Sequence, residues 1–431
     1  MFLRTNRNSN AHLGLTRVRV SVIMTVSRAV GGCFPDAFSL RRHTMNTFET
    51  DSRYVAHTYN RFPLEFASGK GSLIEGSDGK QYIDLGSGIA VNCFGLNDEP
   101  WKAAVTEQLG KFQHCSNLYY AAPVAQLAQM LCQRTGMERV FFANSGAESN
   151  ECAIKVARKW AAEHKGPEYF NIVTLKKSFH GRTLATLAAT GQEKYHQDYR
   201  PLPGGFLYAE VGDKAGLEEL VTRNKCAAIF FECVQGEGGV MPIGQDFADT
   251  LQEVAGKHDL LLMCDEVQLG NGRSGQLYGY MNYGLQPDVV TTAKGLGGGL
   301  PIGAAILGKR VADVLQPGDH GSTFGGNPVS CAGGLNILSR LDETLLAGVR
   351  ERSAYIVEAL RGAEGITAVN GMGLMLGLEI QKPAREFAEL ALQKGVLVTI
   401  AKDNIRLLPA LNIPMDLLQQ AVTVLKECAA E

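Results

Sequence analysis

The clearest regularity along the chain is a series of short apolar segments, each followed by a polar or glycine-rich stretch and then by a segment of helical periodicity. Five segments are apolar at consecutive positions, as expected for strands that helices cover on both faces. They are residues 139–143 (RVFFA), 171–175 (NIVTL), 227–232 (AAIFFE), 260–266 (LLLMCDE) and 288–293 (DVVTTA). Strands that alternate with helices in this way predict an α/β domain built on a mostly parallel sheet.

The segments on either side of this pattern differ from it. Residues 62–85 alternate strand-like pieces with turns, and Asp78-Gly79 predicts a hairpin there because Asp-Gly supplies the positive φ such turns need. Residues 123–134 predict a helix, and from about Leu341 onward helices and short strands predict a smaller C-terminal α+β domain. We therefore divide the chain into a leader (1–44), an N-terminal segment (45–100), a large domain (101–335) and a small domain (336–431).

Composition is typical of soluble globular proteins: of 431 residues, 45% are hydrophobic and 20% charged. A formal net charge of -2 argues against a surface that binds nucleic acid. No apolar run approaches the roughly 18 residues needed to span a bilayer. Ten cysteines are scattered without a CxxC pair, which predicts free structural thiols in a reducing compartment and no metal site.

The first 44 residues contain seven arginines and one acidic residue. An arginine-rich, acid-poor composition is typical of a mitochondrial transit peptide. The alternative is a disordered leader, or translation from upstream of a natural start at Met45. We favour this alternative, and with it a cytoplasmic location, because nothing else in the chain indicates an organelle.

Candidate chemistry lies where the predicted strands end, because ligands of open parallel sheets bind beyond the carboxyl ends of the strands. After residues 139–143, Ser145 and Glu148 have the spacing of a capping box at a helix start. Such a start either simply caps the helix or leaves N–H groups free for a phosphate. Asp265, at the end of 260–266, needs a protonated nitrogen opposite, in an ion pair or on a heteroaromatic ring.

A single lysine, Lys294, follows residues 288–293, and glycines occupy positions 295, 297, 298, 299 and 303. A confined lysine loses its charge readily, and its neutral amine attacks carbonyls. The glycines would let the backbone pass close to a flat ligand. Because the lysine precedes the glycines, a nucleotide P-loop does not fit. An amine for an imine, an acid for a ring nitrogen and a helix start for a phosphate together predict a pyridoxal phosphate (PLP) site.

From about Tyr59 to the C-terminus, the sequence resembles the class III (ornithine-type) aminotransferases of fold type I. The shared text is FFANSGAESNECAIKVARK, SFHGRT, FFECVQGEGGV, CDEVQLGNGRSG, TTAKGLGGGLPIG and HGSTFGGNP. The resemblance implies a PLP-dependent enzyme with a large domain on a mostly parallel sheet, a smaller C-terminal domain and active sites at a homodimer interface.

The resemblance also implies roles for individual residues. Lys294 would bind the cofactor as an imine and then move the proton, while Asp265 would keep the pyridine nitrogen protonated. His180 is interpreted as structural, because Lys294 already has the role of base. The other implied cofactor contacts are Gly146 and Ala147 (phosphate), Phe179 (ring stacking), Val267, Gln268 (3-hydroxyl side) and Thr323 (phosphate of the neighbouring subunit).

Two arginines bear on the substrate, since Arg182 and Arg406 each stand in largely apolar text. Such an arginine either pairs with a structural acid or binds a carboxylate through two bonds. The resemblance implies that Glu237 pairs with Arg406 in one half-reaction and releases it in the other. Arg406 would then hold 2-oxoglutarate or glutamate. Arg182 and Ser322 would hold the amino-acid substrate, and Tyr59 would line the pocket.

The resulting prediction is transfer of the ω-amino group of N-acetylornithine to 2-oxoglutarate, a step of arginine biosynthesis. Ornithine, succinylornithine, succinyl-diaminopimelate and 4-aminobutyrate are alternative donors, because one or two pocket residues separate them. A hypothesis from another class is a non-catalytic dimerising partner, which would lack Lys294 or Asp265. Both residues are present.

Overall fold

The computed structural model describes residues 45–431, so the predictions for residues 1–44 lie outside the described part of the chain. Residues up to Asn60 and residues Arg61–Glu431 form two compact units, which are described separately. The described part of the first unit contains helix α1 (Thr47–Tyr54). A capping box begins this helix, because Asn46 and Glu49 each accept the other's backbone N–H.

The second unit contains the other elements. Its strands are β1 Phe66–Lys70, β2 Leu73–Gly76, β3 Gln81–Asp84, β4 Arg139–Ala143, β5 Asn171–Leu175, β6 Phe206–Ala209, β7 Cys226–Phe231, β8 Val234–Gln235, β9 Met241–Pro242, β10 Leu261–Asp265, β11 Val289–Thr292, β12 Gly303–Leu307, β13 Ile366–Met372, β14 Met375–Ile380, β15 Val396–Leu397, β16 Thr399–Ala401 and β17 Asn404–Leu407. Its helices are α2 Ser87–Ala90, α3 Glu99–Leu109, α4 Ala122–Thr135, α5 Gly146–His164, α6 Leu184–Ala189, α7 Lys214–Arg223, α8 Gln245–Lys257, α9 Pro328–Ser339, α10 Glu343–Leu360, α11 Ala384–Gln393 and α12 Met415–Ala430.

The central sheet has seven strands in the order β4-β12-β11-β10-β7-β5-β6. Only β12 runs antiparallel to its neighbours, so the prediction of a mostly parallel α/β sheet is confirmed. All five predicted strands occur in this sheet, with ends that differ by at most one residue. The pattern missed β6 and β12. Strand β12 begins at Gly303, the last glycine of a glycine-rich segment, and a glycine-rich segment predicts a loop.

The other strands form two four-stranded sheets and the two-stranded pair β8-β9. The predicted hairpin joins β2 to β3, and Gly79 at its turn has φ 77°. Strand β15, from the C-terminal part of the chain, pairs with β3. The antiparallel sheet β13-β14-β17-β16 lies in the C-terminal segment, where short strands were predicted. The predicted domain boundaries stay a prediction.

Helix α5 packs on the central sheet through one face. Its predicted apolar face is buried, including Ala153, Ile154, Ala157, Trp160 and Ala161. Burying one large apolar side chain contributes about 1.5–3 kcal/mol, so this face holds the helix firmly. The start of α5 is thereby fixed beyond the end of β4.

Two chain-wide predictions can be compared with the described residues. The nine cysteines among them are all free, as expected for structural thiols. Between residues 45 and 431, no helix is long and apolar enough to cross a membrane.

Candidate active site

The start of α5 forms one wall of the candidate site. Ser145 caps the helix by accepting the Glu148 N–H at 3.2 Å. The Glu148 carboxylate does not return to Ser145 N–H, as the predicted capping box requires, but accepts Asn144 N–H at 2.6 Å. The side-chain amide of Asn144 also donates to the Glu148 carboxylate, at 3.1 Å, so Asn144 makes two hydrogen bonds to it. The cap prediction is therefore correct for Ser145 only.

Two backbone donors at this helix start are available to a ligand. In the described part of the chain, the N–H groups of Gly146 and Ala147 have no hydrogen-bond acceptor. Position 146 must be small, because a Cβ there would lie 2.6 Å from Cγ1 of Val267. Two free N–H groups at the positive end of a helix could hold a phosphate.

Asp265, at the end of β10, is buried and accepts hydrogen bonds from three protein groups. Its Oδ2 accepts Asn150 Nδ2 and His180 Nδ1, each at 2.8 Å, and its Oδ1 accepts Val267 N–H at 3.0 Å. The His180 ring stacks on Phe230, with the centroids 4.2 Å apart. The sequence analysis interpreted His180 as structural. It missed that the His180 ring contacts Asp265 and orients this carboxylate. Asn150 was also missed, although it lies one turn from Gly146 on the same helix.

Lys294 directly follows Ala293 at the end of β11 and has φ 45°, an unusual value for a residue with a side chain. Its amine makes no hydrogen bond or ion pair within residues 45–431. Burial lowers the pKa of Lys294 to about 8. The positive charge of Arg406 also lowers this pKa, whereas the nearby carboxylates raise it. Near neutral pH the neutral amine needed to attack an aldehyde is therefore a much larger fraction than for an ordinary lysine.

Two of the glycines around Lys294 also have a packing reason, and their predicted role beside a flat ligand stays a prediction. A Cβ on Gly295 would lie 2.6 Å from Cys93 Sγ, and one on Gly303 would lie 2.2 Å from the Ser145 carbonyl oxygen. Gly295 and Gly303 therefore let the chain pass close to other parts of the protein, including the turn that begins α5.

A buried ion pair lies next to Lys294. Arg406, on β17, is 2% exposed and pairs with Glu237, which follows β8. Arg406 also donates to Gln268 Oε1 at 3.0 Å, to Gly236 O at 3.3 Å and to Thr399 Oγ1 at 3.2 Å. Burial alone would raise the pKa of Glu237, but the charge of Arg406 outweighs it and lowers that pKa. The predicted partners are thus in contact.

Glu232, immediately after β7, is a buried acid that the sequence analysis did not assign. Its carboxyl group accepts Phe179 N–H at 2.9 Å and Gly236 N–H at 3.3 Å. Burial, reinforced by the charge of Asp265, raises the pKa of Glu232 well above its ordinary value. The signal was present, because Glu232 ends the apolar segment 227–232.

Arg182 is exposed and is held by aromatic rings instead of an acid. Its guanidinium carbon lies 4.2 Å from the Tyr195 ring centroid and 5.4 Å from that of Phe179. It forms no ion pair among the described residues. Its N–H donors therefore remain available for a carboxylate. Tyr195 was not predicted, because nothing in the local sequence links it to Arg182.

Three predicted residues lie at the margin. Ser322 Oγ accepts Asn144 Nδ2 at 3.1 Å and Gly325 N–H at 2.9 Å, which places Ser322 beside the start of α5. Thr323, next in this loop, is exposed. Tyr59 is exposed and belongs to the first unit, so its place in the pocket stays a prediction.

The functional groups in this site match the parts of PLP. An unpartnered amine, a buried carboxylate and two free N–H groups at a helix start could hold its aldehyde, its ring nitrogen and its phosphate. Residues 54–429 match the family described as aminotransferase class III. The chain belongs to the class III aminotransferases.

Relatives of this class III aminotransferase cover nearly all of its length. Acetylornithine aminotransferase from Haemophilus ducreyi is 43% identical over 385 residues, which cover 89% of this chain and 98% of that protein. Succinylornithine transaminase from Yersinia pseudotuberculosis is 41% identical over 383 residues, covering 85% and 92%. The crystal structure of N-acetylornithine aminotransferase from Stenotrophomonas maltophilia K279a is similar with a TM-score of 0.77 and 35% identity, covering 88% and 98%.

The predictions of family, fold type I, enzyme class and cofactor are thereby confirmed: the protein is a PLP-dependent aminotransferase. The geometry brings Lys294, Asp265, Gln268, Glu237 and Arg406 into one network of contacts and charges. The roles of individual residues stay predictions.

Proposed function

We propose that this class III aminotransferase moves the ω-amino group of N-acetylornithine to 2-oxoglutarate, giving N-acetylglutamate semialdehyde and glutamate, in arginine biosynthesis. The observation that carries the proposal is the pair formed by Arg406 and Glu237. Arg406 is 2% exposed, whereas the Glu237 side chain is 27% exposed and is the member of the pair that reaches solvent. Similarity to acetylornithine aminotransferases supports the same reaction.

The two substrates differ at the carbon that carries nitrogen. The ω-carbon of N-acetylornithine bears no carboxylate, whereas the reacting carbon of 2-oxoglutarate bears one. A buried, unpaired arginine beside the first substrate would be costly, and Glu237 neutralises it. When 2-oxoglutarate binds, its α-carboxylate replaces Glu237 on Arg406. Arg406 is the suitable arginine because its charge acts directly on Lys294.

Arg182 holds the other end of each substrate in this proposal. Both N-acetylornithine and 2-oxoglutarate carry a carboxylate far from the reacting carbon. The guanidinium of Arg182, held over Tyr195, offers two parallel N–H donors to that group. Ser322, beside the start of α5, would complete this side of the pocket for the amino donor.

Bound PLP supplies an aldehyde that a lysine links covalently and a ring that accepts the electron pair of a broken C–H bond. Lys294 Nζ takes the proton from the donor carbon and returns it, and a pKa of about 8 suits transfer in both directions. Asp265, held by His180 and Asn150, keeps a proton on the ring nitrogen. Gly146 N–H, with that of Ala147, fixes the phosphate.

We also propose a homodimer with shared active sites. Large apolar side chains are exposed on two loops that meet at Asn117, whose Nδ2 donates to the carbonyls of Ser322 and Gly325 at 3.0 Å. These side chains are Leu118, Tyr119, Tyr120 and Phe324. Exposed apolar clusters of this kind favour contact with another chain. Thr323 lies among them, so it would reach the phosphate in the partner subunit. Light scattering measures the dimer, and Tyr120→Glu should shift it to monomer.

A cytoplasmic location is part of the proposal, with the mitochondrial matrix as the alternative if residues 1–44 act as a transit peptide. Free cysteines fit either reducing compartment. Imaging a fluorescent protein that carries residues 1–44 distinguishes the two.

The experiment for the substrate follows the visible absorbance of bound PLP in stopped flow, with each amino donor in turn. N-acetylornithine should bleach it with the highest kcat/KM among N-acetylornithine, succinylornithine, ornithine, succinyl-diaminopimelate and 4-aminobutyrate. Succinylornithine is the second candidate, because its transaminase in Yersinia is nearly as similar. A higher kcat/KM for any other donor rejects N-acetylornithine as the substrate.

A further inference from the structure

Two thiols and a carboxylate that the proposed reaction does not use lie together behind the active-site strand ends. Cys233 follows β7, Cys264 lies on β10 and Glu266 follows β10, and all three are buried. The two Sγ atoms are 3.7 Å apart. Oε1 of Glu266 lies 3.5 Å from Cys264 Sγ and 3.9 Å from Cys233 Sγ. In residues 45–431 this is the one group of three such side chains.

Hydrogen bonds from the two thiols do not satisfy both oxygens of the Glu266 carboxylate. Glu266 Oε1 already accepts Tyr280 N–H at 2.8 Å, and both thiols point to this same oxygen. Glu266 Oε2 is buried and has no partner among the described residues. A buried carboxyl oxygen without a partner is rare and costly, so the cluster lacks a positive or donating group.

The spacing of the three atoms lies within about 0.2 Å of that expected for three corners of a tetrahedral zinc site. With Zn–S about 2.3 Å and Zn–O about 2.0–2.2 Å, tetrahedral angles place two sulfurs about 3.8 Å apart and sulfur and oxygen about 3.5–3.7 Å apart. The distances here are 3.7, 3.5 and 3.9 Å. The Tyr280 N–H bond to the carboxylate is the kind of outer support that metal ligands usually have.

We propose that Cys233, Cys264 and Glu266 bind one zinc ion through two thiolates and a carboxylate. Thiolates favour zinc over the harder magnesium and calcium ions. As each Zn–S bond forms, the thiol proton leaves to solvent, so no oxidant or reductant is needed. The site would join the ends of β7 and β10, which carry Glu232 and Asp265.

This proposal departs from the sequence prediction of no metal. That prediction rested on the absence of a CxxC pair, whereas these cysteines are 31 positions apart. They meet only because β7 and β10 are neighbours in the sheet. Sequence spacing carries no signal for such a site.

The test measures zinc in intact PLP-loaded protein, by elemental analysis and native mass spectrometry. Because the site is enclosed, the cells are grown with added zinc, and loosely held metal is then removed with a weak chelator. Wild-type protein should hold one zinc per chain, and Cys233→Ser and Cys264→Ser none. Cys331→Ser is the matched control, since Cys331 is equally buried but lies on α9, and it should keep the metal.

A second measurement needs no variant. Wild-type protein grown with cobalt should show the intense visible bands of a tetrahedral thiolate site, and it should melt at a higher temperature than protein grown without added metal. Zinc in wild type no higher than in Cys264→Ser, or a Cys233–Cys264 disulfide in wild type, would overturn the site. None of these readouts depends on turnover, so their failure leaves the proposed reaction untouched.

Discussion

Arg406→Ala separates the two half-reactions of the proposed mechanism. Charge-assisted hydrogen bonds contribute about 1.5–3 kcal/mol each, and a guanidinium makes two with a carboxylate. Arg406 first gives up its bond to Glu237, so we expect a net loss of about 2–4 kcal/mol for 2-oxoglutarate. At about 1.4 kcal/mol per factor of ten, kcat/KM for 2-oxoglutarate falls roughly 30- to 1000-fold.

The amino-donor half-reaction should suffer less in the same variant. Glu237 loses its counter-ion, but its side chain is 27% exposed and can turn towards water or take up a proton. Because Glu237, the charge left behind, is the more exposed member of this buried pair, we expect a cost of about 1 kcal/mol, which corresponds to less than about a tenfold loss for N-acetylornithine.

Stopped-flow absorbance measures the halves separately, because the PLP band bleaches with the amino donor and returns with 2-oxoglutarate. Glu237→Gln is the control with the opposite expectation: Arg406 stays charged and unpaired, so the donor half slows while the 2-oxoglutarate half persists. Equal losses in both halves of Arg406→Ala, at an unchanged melting temperature, would refute the exchange of partners on Arg406.

Three further predictions concern the amine, the acid and the second arginine. Because burial lowers the pKa of Lys294 to about 8, its amine is charged below that pH and neutral above it. The rate at which cofactor-free protein takes up PLP, measured by absorbance, should therefore rise with pH and level off above about 8. A rate that does not change with pH would contradict this. Lys294→Ala should abolish turnover. Asp265→Asn should lower kcat by about 10²–10⁴-fold while circular dichroism stays unchanged, and near-normal kcat would remove the proposed role. Tyr195→Leu should raise KM for the amino donor about two- to fivefold by freeing Arg182, whereas Tyr195→Phe, which keeps the ring, should not; equal KM changes would exclude the ring contact.

The sequence indicates candidate site residues most clearly where a residue ends an apolar strand. Asp265 and Lys294 stand out because a lone charge at the end of an apolar run needs a reason, and both lie in the network around Arg406. The supporting residues were harder to predict. Asn150 lies on a helix face and Tyr195 in a short turn, and neither position differs from an ordinary surface or core residue in sequence.

The sequence by itself determined five of the seven strands of the central sheet, the helix α5 on it and the family, because apolar periodicity and long motifs are properties of neighbouring residues. Only the tertiary structure decided which side chains meet. His180 reaches Asp265 across 85 positions, and Cys233 reaches Cys264 across 31. The distances between such groups depend on strand order and helix placement, which the packing of the whole core sets and no local pattern contains.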